Sequence, residues 1–217
     1  MSSLLRRCAR LVLLLPVVAV SCSSSDSPAA PASAAAPAAL RRIVVLGDSL
    51  AVSPSPERSF PAELGARVRS ARLNATVENA GISGDTSAGG VRRIDALLDS
   101  APHLLVLALG ANDGLGGVDV SVVERNLGTI LERAQARNVS VLLCGMETPP
   151  THGWQYSLAF HGVFPRLAAR YRVPLVPFLL GGVALNPDMN MGDGVHPNAA
   201  GARRIADTLW PFIQPMI

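Results

Sequence analysis

Only three cysteines occur in the 217 residues, too few to build a disulfide framework. No stretch offers 18 uncharged, mostly apolar residues flanked for spanning, so a multi-span helical membrane protein is not expected. Lysine is absent and all 19 cations are arginines, which together with the richness in Ala, Leu and Gly we read as genomic codon bias. The formal charge of +3 comes from Arg6, Arg7 and Arg10, and the chain after residue 21 holds sixteen arginines against sixteen acids. No basic run or basic-aromatic stripe remains, so no nucleic-acid partner is expected. Charged residues make up only 16% and aromatics 4%, whereas 49% of the chain is hydrophobic. That apolar content excludes disorder of the whole chain and is enough for one good core.

Residues 1–21 have the order of an export signal: a basic start, the apolar run Leu11–Val20 and the small Ser21. The run is too short for a permanent span. Ala19-Val20-Ser21-Cys22 resembles a bacterial lipobox, in which Cys22 would be acylated and become the N-terminus. An ordinary secretory signal with an incidental cysteine fits the same residues. Residues 22–40 then form a tether, and Ser23–Ala39 contains only Ser, Ala and Pro apart from Asp26. Such a segment has little to bury and cannot offset the entropy of ordering. The expectation is an exported protein, lipid-anchored to a membrane and facing the periplasm or the exterior. Cys8 leaves with the signal, so Cys144, within an apolar run, is expected to be an inert core residue.

From residue 41 to 217 the periodicity alternates. Apolar runs predict strands at Ile43–Leu46, Ala75–Asn79, His103–Leu109, Val139–Cys144 and Val173–Val176. Helical spacing predicts helices at Pro61–Arg72, Val91–Leu98, Ser121–Arg137, Gln155–Arg172 (broken or kinked near Pro165) and Pro197–Phe212, with Pro197 at the first helical position. Five βα units imply an α/β fold, a three-layer α/β/α sandwich on a five-stranded parallel sheet. Ligands of such sheets bind beyond the carboxyl ends of the strands.

Four polar, glycine-rich clusters fall at that edge. They are Gly47-Asp48-Ser49-Leu50, Ile82-Ser83-Gly84-Asp85-Thr86, Gly110-Ala111-Asn112-Asp113 and Asp193-Gly194-Val195-His196. Taken singly, each has an ordinary alternative: Ser49 as a helix cap, Asn112 and Asp113 as turn formers, His196 as a cap residue. Together, and in this order, they resemble the blocks of an SGNH hydrolase of the GDSL class, nearest its bacterial thioesterase/lysophospholipase/arylesterase branch. The resemblance covers residues ~42–214. It implies a flavodoxin-like SGNH fold and a serine hydrolase of carboxylic esters or thioesters. Ser49 would be the nucleophile, His196 the base and Asp193 its orienting partner. The oxyanion donors would be the Ser49 N–H, the Gly84 N–H and the Asn112 side-chain amide.

No metal or cofactor is required by that chemistry, and a monomer acting on small acyl substrates is expected. Asp48 is expected to orient the loop. Met146, Trp154 and Tyr156 are candidates for the apolar lining of an acyl pocket, with Leu185–Met191 as the opposite wall. Two other readings stay open: a carbohydrate or cell-wall O-deacetylase with the same machinery, and a non-catalytic flavodoxin-like binding module. A classical α/β-hydrolase lacks its Gly-x-Ser-x-Gly elbow here, and a dinucleotide enzyme its G-x-G-x-x-G after the first strand.

Overall fold

The computed structural model describes residues 39–217; the expected export signal, Cys22 and nearly all of the tether lie outside them. Five strands pair in parallel: β1 (Arg41–Gly47), β2 (Ala75–Asn79), β3 (Leu104–Ala108), β4 (Ser140–Cys144) and β5 (Leu175–Val176). Their order is β2-β1-β3-β4-β5. The central strands are buried without alternation, and every residue of β3 is inaccessible. Edge strand β2 alternates instead between half-buried and exposed positions. That contrast follows from helices covering both faces of the sheet interior.

Seven α-helices complete the described fold: α1 (Phe60–Ser70), α2 (Ser87–Leu98), α3 (Ala111–Gly116), α4 (Val120–Ala136), α5 (Trp154–His161), α6 (Val163–Tyr171) and α7 (Ala199–Ile213). Helices α1 and α7 pack on one another, while α4 packs against α2 and α6. The apolar stripe of α4 (Val123, Leu127, Ile130, Leu131 and Ala134) is buried at the spacing that predicted the helix. Its start is set by Asp119, whose carboxylate accepts the Ser121 N–H at 2.8 Å. Cys144 lies in this core, fully buried, and burial pushes its thiol pKa up.

Three local expectations are corrected. The helical stretch Gln155–Arg172 divides at Gly162, not at Pro165. Pro165 falls in the first turn of α6, where a missing N–H removes no intrahelical bond. Helix α7 starts at Ala199 rather than Pro197, because Asn198 caps it: the Asn198 Oδ1 accepts the N–H groups of Ala200 (2.8 Å) and Gly201 (3.1 Å). Pro197 instead forms an isolated bridge with Asn190. The short α3, which the sequence presents as a polar loop, is helical.

The sheet reverses its winding between β1 and β3, and the crevice at such a switch point is where ligands sit. Its walls are rigid because the strands beneath are close-packed. Leu107→Ala, at a fully buried position of β3, is expected to lower stability by ~2–5 kcal/mol, read as a shift of the urea midpoint.

Candidate active site

Ser49 sits where β1 ends. The chain turns at once into a single 3-10 turn, Ser49–Ala51, capped by Asp48, whose Oδ1 accepts the Leu50 N–H at 2.9 Å. Leu50 and Ala51 are buried and pin the turn to the core, leaving Ser49 half-buried. Glycine at 47 is required by space, since a Cβ there would lie 2.8 Å from that of Ala51.

The Ser49 hydroxyl lies 2.8 Å from Nε2 of His196, across 147 positions of sequence. Nδ1 of His196 lies 2.6 Å from Oδ2 of Asp193. Oδ1 of Asp193 accepts the N–H groups of Val195 and His196, both at 2.9 Å. The His196 side-chain hydrogen bond and then the Val195 N–H hold the Asp193 carboxyl down at about 2. An ionised carboxylate can only accept, so Nδ1 carries the imidazole proton and Nε2 is left to accept from Ser49. The loop bearing this pair is folded back on itself: Met191 donates its N–H to the His196 carbonyl, Leu185 donates to that of Gly194, and Gly192 and Gly194 take positive φ.

Gly84 has φ +76°, and a Cβ placed on it would meet nothing within 4 Å. Backbone conformation, not crowding, therefore favours glycine at this position. Its loop is held against the Ser49 turn by the Ile82 N–H, which donates to the Gly47 carbonyl. Asn112 lies in the first turn of α3, and its Nδ2 donates one hydrogen bond to the Asp85 carbonyl at 2.8 Å. An amide carries two donors, and the second, with no partner among the described residues, can serve a ligand. The next residue, Asp113, is buried and does more than form a turn. Its carboxylate accepts the Ser87 N–H (2.8 Å) and hydroxyl (2.6 Å), and so ties the start of α3 to the start of α2. Sequence reasoning missed that role; a carboxylate next to Asn112 in a loop carries no signal of burial.

A cavity of about 390 Å³ opens beside these groups, lined by residues including Ala111, Leu115, Phe178, Leu180, Leu185 and Val195. Ala111 precedes Asn112 and Val195 precedes His196, so the apolar space adjoins the polar centre. The three residues expected to line it do not. Met146 is buried in the core, Trp154 is 69% exposed, and Tyr156 is half-buried. The Tyr156 hydroxyl donates to the Val118 carbonyl at 2.8 Å, which fastens α5 to the segment after α3. The segment after β4 still contributes a wall, but through Glu147, Thr148 and Pro149, which follow Met146.

The family model of the GDSL-like lipase/acylhydrolases matches residues 45–204. The chain belongs to that family. It is an ester hydrolase, and its α/β/α sandwich is the family's fold. Esterase TesA of Pseudomonas aeruginosa is 38% identical over 183 residues, which are 83% of this chain and 91% of that protein. Thioesterase 1/protease 1/lysophospholipase L1 of Escherichia coli is 37% identical over 183 residues, 83% of this chain and 86% of its own length. Among solved structures, the psychrotrophic esterase EstA of Pseudoalteromonas sp., inhibited by monoethylphosphonate, matches with a TM-score of 0.77 at 31% identity. That match covers 81% of this chain and 97% of the esterase.

In this GDSL-family chain a second carboxyl, Asp48, lies beside Ser49 under opposite conditions from Asp193. It is fully buried, and its Oδ2 has no hydrogen-bond partner among the described residues. Burial raises its pKa from 3.8 to about 6, against the smaller lowering effect of the Leu50 N–H. Between those two values the folded chain binds more protons than the unfolded one. The contribution of Asp48 to stability is therefore full below pH ~4 and is lost as pH rises through ~6, a loss on the order of 3 kcal/mol. Asp48→Asn keeps an oxygen for the Leu50 N–H and carries no charge. Denaturant midpoints at pH 4 and pH 8 should show the variant gaining on the natural protein at pH 8 alone.

Proposed function

We propose that this chain hydrolyses carboxylic esters and thioesters of apolar acyl groups through an acyl-enzyme on Ser49. The observation that carries the reading is the unbroken hydrogen-bonded row from Ser49 through His196 to Asp193. A serine hydroxyl becomes a good nucleophile only as a base removes its proton. Nε2 of His196 accepts that proton while Oγ bonds to the acyl carbon, and Asp193 stabilises the imidazolium that results. The carbonyl oxygen becomes an oxyanion received by the N–H groups of Ser49 and Gly84 and by the free amide donor of Asn112. When the intermediate collapses, the bond to the leaving group breaks and His196 returns its proton to the departing alkoxide. A thiolate is far less basic and leaves with less help, so the same centre serves thioesters. Water then repeats the sequence: His196 takes its proton, the hydroxyl adds to the acyl carbon, and Ser49 leaves with the proton as the carboxylic acid departs.

The apolar lining of the cavity favours an acyl chain over a sugar, which needs polar partners around its hydroxyls. Relatives named as esterase and as thioesterase/lysophospholipase support both ester and thioester substrates. We also propose that the protein is exported and anchored through an acylated Cys22, a reading supported by the order of residues 1–40.

Ser49→Ala is expected to keep the circular dichroism and melting temperature of the natural protein and to lose p-nitrophenyl butyrate hydrolysis by on the order of 10⁵–10⁶-fold. A fluorophosphonate probe should label the natural protein at Ser49; equal labelling of the variant would contradict the mechanism. Each methylene buried in the cavity contributes ~0.8 kcal/mol, or about fourfold. Accordingly, kcat/KM should climb by up to that factor per methylene from acetyl to hexanoyl esters, whereas a flat series would favour the deacetylase reading. Mass spectrometry of the membrane fraction should find a diacylglyceryl-modified N-terminus at Cys22, and a soluble, unmodified N-terminus would refute the anchor.

A further inference from the structure

One charged group outside the row of Ser49, His196 and Asp193 bonds directly to two of the three segments that frame its oxyanion site and reaches the third through Asp85. Arg93 projects from α2 with its side chain largely buried. Its Nη2 donates to the Gly47 carbonyl at 2.8 Å, two residues before Ser49. Its Nη1 donates to the carbonyl of Ala80, just after β2. Its Nε donates to Oδ2 of Asp85 at 2.7 Å, and Nη2 stands at the same distance from that oxygen. One planar guanidinium thus joins the end of β1, the exit of β2 and the residue after Gly84.

Asp85 is where the two outer oxyanion donors meet. Its backbone carbonyl accepts Asn112 Nδ2, its carboxylate is gripped by Arg93, and its own N–H follows Gly84 in the chain. The space for that carboxylate is reserved, because a Cβ on Gly89 would fall 1.6 Å from Oδ1 of Asp85. Displacing Asp85 would move the Gly84 N–H and the Asn112 amide together, and the loss of the Gly47 contact would loosen the Ser49 turn. Asp85 neutralises the guanidinium, so the effect on the reaction is one of placement. We propose that Arg93 is a positioning residue that sets the oxyanion site by holding Gly47, Ala80 and Asp85 in a fixed mutual arrangement. This rests on the reading of Ser49 as nucleophile and of Gly84 and Asn112 as donors. Oxyanion donors act by being preorganised, and a misplacement of ~1 Å costs ~10²-fold in rate.

The test uses Arg93→Met, Arg93→Lys, Asn112→Ala and Arg93→Met/Asn112→Ala, with Ser49→Ala as control. p-Nitrophenyl butyrate is the substrate, and active sites are counted by end-point fluorophosphonate labelling. For R93M the expected result is a loss of ~10²-fold in kcat per titrated site, with KM and the midpoint of the pH–rate profile unchanged. The labelling rate should fall in parallel while the end-point stays at one probe per chain. The double variant should lose much less than the product of the single losses, because both residues act through one site. If R93M does not fold, R93K carries the test: an ammonium cannot span three acceptors as the guanidinium fork does, so kcat should fall about tenfold. A folded R93M or R93K with the natural kcat per site, or losses that simply multiply with N112A, would overturn the proposal. A natural protein inert to esters, or an active S49A, would instead overturn the function on which it rests.

Discussion

Parallel pairing of β1 with both of its neighbours is the constraint on which the site depends. Val45 lies opposite Asn79 of β2 and Gly47 opposite Ala108 of β3, so all three strands end at one edge within a residue or two of each other. The segments carrying Ser49, Gly84 and Asn112 therefore leave the sheet side by side. A parallel strand needs a long crossover to return, and here the crossovers are the helices that cover the sheet. The same covering excludes water from β1 and β3 and makes their ends a rigid base for the chemistry. The hydrogen-bonded pair Asp193 and His196 arrives from the far end of the chain, on a loop tied down by its own backbone bonds and by the Asn198 cap of α7.

Two aspartates on either side of Ser49 and His196 show how environment sets the state of a carboxyl. Asp193 accepts three hydrogen bonds and is in contact with solvent, so it stays ionised and orients His196. Asp48 accepts one N–H within the core, and burial pushes it toward the neutral form. Both are short carboxylates beside the same serine and histidine. The difference lies in the donors that the backbone supplies and in the water each can reach. Arg93 and Asp113 act on a further level, by joining segments rather than by meeting substrate: the guanidinium ties the end of β1 to both ends of the loop after β2, and the Asp113 carboxylate joins two helix starts.

Much of this was legible in the residues. Ile43–Leu46 and the near-continuous apolar run His103–Leu109, each followed by a glycine, read as buried parallel strands, and the stripe of α4 is plain at helical spacing. Ser49, Gly84, Asn112, Asp193 and His196 stand out because each sits in a polar, glycine-rich cluster after a strand or before the last helix, and the geometry brings Ser49, His196 and Asp193 into hydrogen-bond contact. Helix α3 was hidden because Ala-Asn-Asp-Gly-Leu-Gly has poor helical propensity and is held by tertiary bonds instead, Asp113 to Ser87 above all. The break at Gly162 was misplaced because a proline is the stronger local signal, although in a first helical turn it is harmless. The cavity wall was misassigned by a few residues. Met146, Trp154 and Tyr156 are the bulky apolar residues of their segment, but whether a side chain points into a core, a cavity or solvent depends on partners distant in sequence.

What the sequence alone determined is local or periodic: which stretches are strands and helices, which edge carries the chemistry, and which side-chain types could perform it. Those follow from solvation of alternating or continuous apolar patterns and from the intrinsic reactivity of a hydroxyl, an imidazole and a carboxylate. The tertiary structure decided everything that depends on distance and dielectric. It joined positions 49 and 196, held one aspartate ionised while pushing another toward its neutral form, shaped the apolar cavity, and turned an arginine of an ordinary amphipathic helix into a clasp between the end of β1 and the loop after β2. Hydrogen bonds and desolvation act over a few ångströms, and only packing brings residues tens of positions apart within that range.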